Sequence, residues 1–173
     1  MPINQTKLYN QLLELEYMGE GQRNNSLRLI FKRDIEDNGN LRFQGRQISP
    51  NKLQDDATSL NVLFTHLTCT VLDYKTMARE FDIARSKRLH WIKHHVDGVC
   101  LHHCKVFSCI DRNQKDSRDE VRTYIFNEVE SYLIVLRPLR NGDGYYLLTA
   151  HYLDGRDPKK IDKKYKRRLP ELH

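Results

Sequence analysis

No stretch of this chain is long and apolar enough to cross a bilayer, and its mean hydropathy is −0.72. The opening Met-Pro-Ile-Asn-Gln-Thr lacks the basic n-region and apolar h-region of a secretory signal. Cysteine is scarce: Cys69, Cys100, Cys104 and Cys109 are the four in 173 residues. Without an export signal they read as reduced thiols, and the expected compartment is the cytoplasm, with no membrane partner. Sequence repeats are absent, and the only low-complexity stretch is a Lys/Arg run near the end. With 39% hydrophobic and 30% charged residues, the chain can bury a core beneath a very polar surface, as one domain or two small ones packed together.

Two further absences narrow the chemistry. The run Cys100-Leu-His-His-Cys104, with Cys109 beyond it, has a spacing that zinc allows but lacks a second well-spaced pair. His102 and His103 cannot easily point at one ion together with both cysteines, so a plain reduced-thiol loop or strand edge is expected, with no metal and no cofactor. Gly142 and Gly144 precede a strand pattern rather than a helix, which makes them turn residues and not a phosphate loop.

Positive charge is plentiful and uneven. Of the net charge of +6, the segment Gly155–His173 supplies an excess of five, from eight Lys or Arg against three Asp or Glu. A concentration of this kind suits a polyanion, and phosphate attraction supplies most non-specific nucleic-acid affinity. A second basic stretch is Arg85-Ser-Lys-Arg-Leu-His-Trp-Ile-Lys-His-His-Val96. Leu89, Ile92 and Val96 recur at helical spacing, with Gly98 as a stop, and His90 and His94 fall one turn apart on one flank. Imidazoles titrate near neutral pH, so such a pair could move protons beside a bound anion. The plainer alternative is an amphipathic helix with a solvated basic face.

Periodicity predicts a helix over Lys7–Tyr17 and strands over Leu27–Lys32 and Leu41–Ile48, joined by a turn at Asp37–Asn40. A helix follows over Ser59–Val71, and Asp73–Val96 reads as one long helix or two. Beyond Gly98, strands are expected near 105–110, 121–127, 132–136 and 145–153, linked too tightly for crossover helices and therefore an antiparallel meander. Pro158 opens a basic helix through Leu169. The expected class is α+β: N-terminal helices and a hairpin (1–72), then a four-stranded antiparallel sheet flanked by helices (73–173).

On the last strand, Thr149 and His151 share a face, and Arg122 shares one with Tyr124 and Phe126. An antiparallel sheet can set Arg122, Thr149 and His151 on one surface, and a helix across its edge can add His90 or His94. RNA cleavage through the 2′-OH requires such a set: a base, an acid and cationic or hydroxyl donors for the phosphorane.

From about Asp82 to Leu169 the order of elements, with Arg-Thr-Tyr on an inner strand and Tyr-Tyr-Leu-Leu-Thr-Ala-His-Tyr on the last, resembles the metal-independent RNase superfamily of barnase, EndoU, colicin E5, colicin D and RelE, in its phage- or polymorphic-toxin-like forms. The resemblance implies a toxin-like endoribonuclease acting on tRNA or mRNA, with a cognate antitoxin or immunity protein. It would make His90 or His94 the helix-borne catalytic group, Arg122 the phosphate clamp, and Thr149 and His151 the last-strand site residues. Lys163, Lys164, Lys166, Arg167 and Arg168 would track the RNA backbone, with Tyr165 available for stacking. Two other readings fit the residues. One is a non-catalytic nucleic-acid-binding or inhibitor module, such as a phage-encoded anti-defence protein; the other is a protein-interaction domain with a basic tail.

Overall fold

Runs of alternating side chains joined by turns too short for a helix must pair in order as a meander. The computed structural model, which describes residues 3–52, 55–98, 103–113 and 117–173, contains that meander: β5 (Cys104–Arg112), β6 (Asp119–Asn127), β7 (Tyr132–Pro138) and β8 (Gly144–Tyr152). The sheet does not stop at four strands. Strand β2 (Arg46–Pro50) pairs parallel to β8, and β1 (Arg42–Phe43) pairs antiparallel to β2, giving the order β1-β2-β8-β7-β6-β5. An unpaired β8 edge would leave a row of backbone donors and acceptors open, and β2 satisfies them. The close approach uses Gly144, where a Cβ would sit 2.6 Å from the Gln47 carbonyl oxygen.

The N-terminal expectations are corrected at several points. Residues 7–17 form no helix: Leu13 and Leu15 are buried while Leu12, Glu14 and Glu16 are exposed, an extended alternation. The Leu13 amide donates to the Lys87 carbonyl at 3.0 Å instead of to its own chain four residues back. Leu27–Lys32 is not a strand but lies at the end of helix α1 (Glu20–Phe31), which runs on into a π turn. Its buried residues, Leu27, Ile30 and Phe31, follow helical spacing, and Leu29, which suggested alternation, is exposed. The hairpin turn lies at Gln44–Gly45, both with positive φ as a two-residue primed turn requires, and not at Asp37–Asn40.

Helix α2 (Asp56–Thr68) is capped by Asp55, whose carboxylate accepts from the Thr58 amide at 2.6 Å. The segment expected as one helix or two is a hairpin, β3 (Cys69–Asp73) and β4 (Ala78–Phe81), followed by the short helices α3 (Ile83–Ser86) and α4 (Trp91–Val96). Helix α5 (Asp157–Lys166) is the basic helix.

The two faces of the large sheet carry separate apolar clusters. On one, Ile125, Tyr132, Ile134, Leu136, Tyr145 and Leu147 meet α1, α2, α4 and the extended N-terminal segment. On the other, Phe107, Tyr124, Phe126, Leu133 and Val135 meet Ile161 and Tyr165 of α5. The first cluster draws on both sides of the 72/73 boundary, and the β2–β8 pairing crosses it too. Among the described residues, no helix is long and apolar enough to cross a membrane.

Candidate functional site

Helix α4 turns its apolar residues to the sheet, and its histidines go with it. Leu89, Trp91, Ile92 and Val96 are all in the core. His95 is fully buried beside them, its Nδ1 2.8 Å from the Trp91 carbonyl oxygen and its Nε2 3.1 Å from Asn127 Nδ2. The tautomer that satisfies both contacts donates from Nδ1 and accepts at Nε2. Burial pushes the His95 pKa down to about 4. His94 stacks on Tyr9 with centroids 4.0 Å apart, and burial also lowers its pKa. His90 is buried with no hydrogen bond of normal geometry at either ring nitrogen, although the Leu8 and Gln11 backbone lies close; burial again lowers its pKa.

This placement corrects the expected constellation. Asn127 and Tyr132, which His95 touches, point to the helical face of the sheet. Alternation along β6 sends Arg122, Tyr124 and Phe126 to the opposite face, against α5. The sheet therefore separates His90 and His94 from Arg122.

Thr149 and His151 share the Arg122 face, since the register aligns Tyr124, Val135 and Thr149, and likewise Phe126, Leu133 and His151. Sharing a face does not make them neighbours. His151 lies four residues further along than Arg122 and two strands across, about 13 Å by ~10 Å. It contacts Thr149 at 3.5 Å, and burial, then the Arg85 charge, push its pKa down to about 4. At neutral pH His151 is an uncharged ring near the start of α5.

The middle of this face is closed by α5. Tyr165 packs edge-on to Phe107 at 5.2 Å between Lys105 and Arg168, so it is a packing residue rather than an open stacking platform. Lys164 also turns inward. It pairs with Asp111, which accepts from Tyr124 as well, and the ammonium lies 5.3 Å from the Tyr124 ring. Burial opposes the Asp111 charge, but the Lys164 and Tyr124 hydrogen bonds outweigh it and hold the carboxyl below its usual range. Cys109 beside it is pushed up to about 11 by burial and Asp111. It is an inert thiol.

The outer face of α5 is different. Arg156, Lys159, Lys163, Lys166 and Arg167 follow helical spacing, are exposed, and have no carboxylate partner among the described residues. Lys160, on the same face, pairs with Asp157 at 2.8 Å.

Beyond α5, at the ends of β6, β7 and β8, lies a cleft of about 850 Å³ that draws on both faces of the sheet: Glu120, Arg137 and Tyr146 line it from the α5 face, and His173 joins it from the opposite face, with Arg118 and Arg140 alongside. Glu120 is held between Arg122, which donates from Nε at 2.8 Å, and Arg137 at 3.5 Å. Burial works against the Arg122 charge, yet Glu120 more than offsets it and the guanidinium is held above its ordinary value. Arg137 also donates to Asn51 at 2.7 Å and lies 5.1 Å from the Tyr146 ring. The backbone of His173 is pinned by Ser108, Thr123 and Tyr145 at 3.0, 2.7 and 3.0 Å.

Of the residues expected at a site, then, only Arg122 reaches the cleft's charged cluster. Glu120, Arg137, Tyr146 and His173 were not anticipated. Glu120 carried a legible signal, since it sits two residues before Arg122 on one strand and must share its face. Arg137, Tyr146 and His173 arrive through pairing and chain return, which no local pattern announces. Cys100 and His102 lie outside the described residues, and no group of three metal-ligating side chains converges among those described. No family model, curated protein or solved structure matches the chain.

Proposed function

We propose that this protein binds RNA through its phosphate backbone, with the outer face of α5 as the primary contact. The observation that carries this reading is the row Arg156, Lys159, Lys163, Lys166 and Arg167, exposed and without carboxylate partners among the described residues. Cations already neutralised by protein carboxylates contribute little to a phosphate lattice; these five are available to it. If four or five of them displace counterions from single-stranded RNA, log K should fall with log salt at a slope of about −3. Lys164 and Arg168 are not part of this surface, because one is committed to Asp111 and the other lies over Tyr165.

A second reading, metal-independent RNA cleavage, is favoured by the cleft. Glu120 lines the cleft from the α5 face as the carboxylate for the 2′-OH proton, and His173 lines it from the opposite face as the imidazole that would return one to the leaving oxygen. Arg122 and Arg137 are donors for the developing charge. On that reading a cognate neutralising protein would occlude the cleft.

One experiment separates the two. A labelled single-stranded RNA is titrated across a salt series in EDTA, and the products are run on a denaturing gel. Binding with a steep salt dependence that flattens in the Lys163→Glu/Lys166→Glu variant supports the primary reading. Cleavage that disappears in Glu120→Gln and survives in His94→Ala supports the second. Affinity that ignores salt and is unchanged in the double variant refutes the phosphate-binding reading.

A further inference from the structure

A second cavity, sharing no residue with α5 or the arginine cleft, is walled by α1, the end of α2 and the β3–β4 hairpin. Its volume is about 330 Å³, within the range of small-molecule sites. The α1 wall is one helical stripe: Glu20, Arg23, Asn24, Leu27 and Arg28. Leu27 and Phe64 are buried and form an apolar floor, with Phe81 of β4 facing it.

Two guanidiniums stand over this floor on aromatic rings instead of on carboxylates. Arg23 lies 4.7 Å from the Phe81 centroid and Arg28 lies 3.8 Å from that of Phe64. Arg28 also donates to Asn61 Oδ1 at 2.8 Å. Neither has a carboxylate partner among the described residues, although Glu20 lines the same cavity. The Arg23 Nε is buried without any hydrogen-bond acceptor. Buried N–H groups in native folds almost always have an acceptor, so this guanidinium is not fully satisfied by the protein itself.

We propose that this cavity is a binding site for a small aromatic anion, a ring or fused ring pair carrying a carboxylate or sulfonate. The ring lies on the apolar floor, against the guanidinium planes that cover Phe64 and Phe81. The anionic group meets the two guanidiniums, neither of which is paired with a carboxylate among the described residues. Inorganic phosphate alone would leave the apolar floor unused, and a neutral aromatic would leave the charges unanswered.

The probe is anilinonaphthalene sulfonate, whose fluorescence rises on entering an apolar site. Saturable single-site binding is expected, at least tenfold weaker for the uncharged anilinonaphthalene and at least tenfold weaker in Arg23→Ala. Thr65→Trp, which fills the cavity from α2, abolishes binding without touching either arginine and serves if Arg23→Ala fails to fold. Cys69 lines the same cavity as a half-buried free thiol, so the bound probe slows its alkylation by iodoacetamide severalfold, read by mass spectrometry. RNA affinity is unchanged in both variants, which keeps this site distinct from the α5 surface. Equal binding of the neutral analogue, undiminished binding to Thr65→Trp, or an unprotected Cys69 each overturns the proposal.

Discussion

His95 is the residue for which the structure makes the sharpest quantitative statement. It is fully buried, its two ring nitrogens are satisfied by Trp91 and Asn127, and its pKa stands at about 4 against 6.5 in an unfolded chain. A lowered folded-state pKa means that the unfolded chain binds the proton first as pH falls. Stability from this residue is therefore fully present above about pH 6.5 and is lost on the way down to about pH 4. At ~1.4 kcal/mol per pH unit, the loss is about 2 kcal/mol by pH 5 and roughly 3 kcal/mol by pH 4. Urea unfolding of the parent protein and of His95→Gln, each at pH 7.5 and pH 5, isolates the contribution. The parent should lose about 2 kcal/mol more than the variant between the two pH values. His151, whose pKa also stands at about 4, is unaltered in both proteins and cancels in the difference. If parent and variant lose the same amount to within ~0.5 kcal/mol, His95 is not a neutral core residue.

Five further variants test the packing and the α5 surface. Gly144→Ala places a methyl 2.6 Å from the Gln47 oxygen and should lower stability by about 1–3 kcal/mol in urea titrations. Gly39→Ala, with nothing within 4 Å, should cost less than ~0.5 kcal/mol. Lys164→Met strands the half-buried Asp111 carboxylate and should cost about 1–3 kcal/mol while leaving RNA affinity nearly intact. Lys163→Met should do the reverse, weakening RNA binding in fluorescence anisotropy with a stability change below ~0.5 kcal/mol. Trp91→Ala empties the largest buried side chain of the first core cluster and should cost about 3–5 kcal/mol, read as a fall in the thermal midpoint.

How legible the site was depended on how local its geometry is. Arg122, Tyr124 and Phe126 share a face because a strand alternates, and Thr149 and His151 share theirs for the same reason. These statements need only chain stereochemistry. That all five face α5 depends on which side of the sheet each helix packs, and that choice is made by the summed apolar surface of distant elements. His90, His94 and His95 show the difference. In sequence they are three titratable rings in a cationic run; in the fold, Leu89, Trp91, Ile92 and Val96 draw their helix into the core and burial lowers the pKa of all three, to about 4 at His95. The basic row on α5 needed only helical spacing to be seen, but its division into outward Lys163 and inward Lys164 needed Asp111 on β5.

The antiparallel meander β5–β8, the Asp55 cap of α2, the spacing of α2 and α5, and the charge of the last helix were determined by the sequence alone, since turn length, alternation and periodicity act within a few residues. The tertiary structure decided the rest. It converted Leu27–Phe31 from an apparent strand to the end of a helix and added β1 and β2 to the sheet. It put Glu120 between two arginines from adjacent strands and set the histidines of α4 on the far side of the sheet from Arg122. Each of these rests on pairing or burial between segments tens of residues apart, where the free energy belongs to the contact and not to either segment.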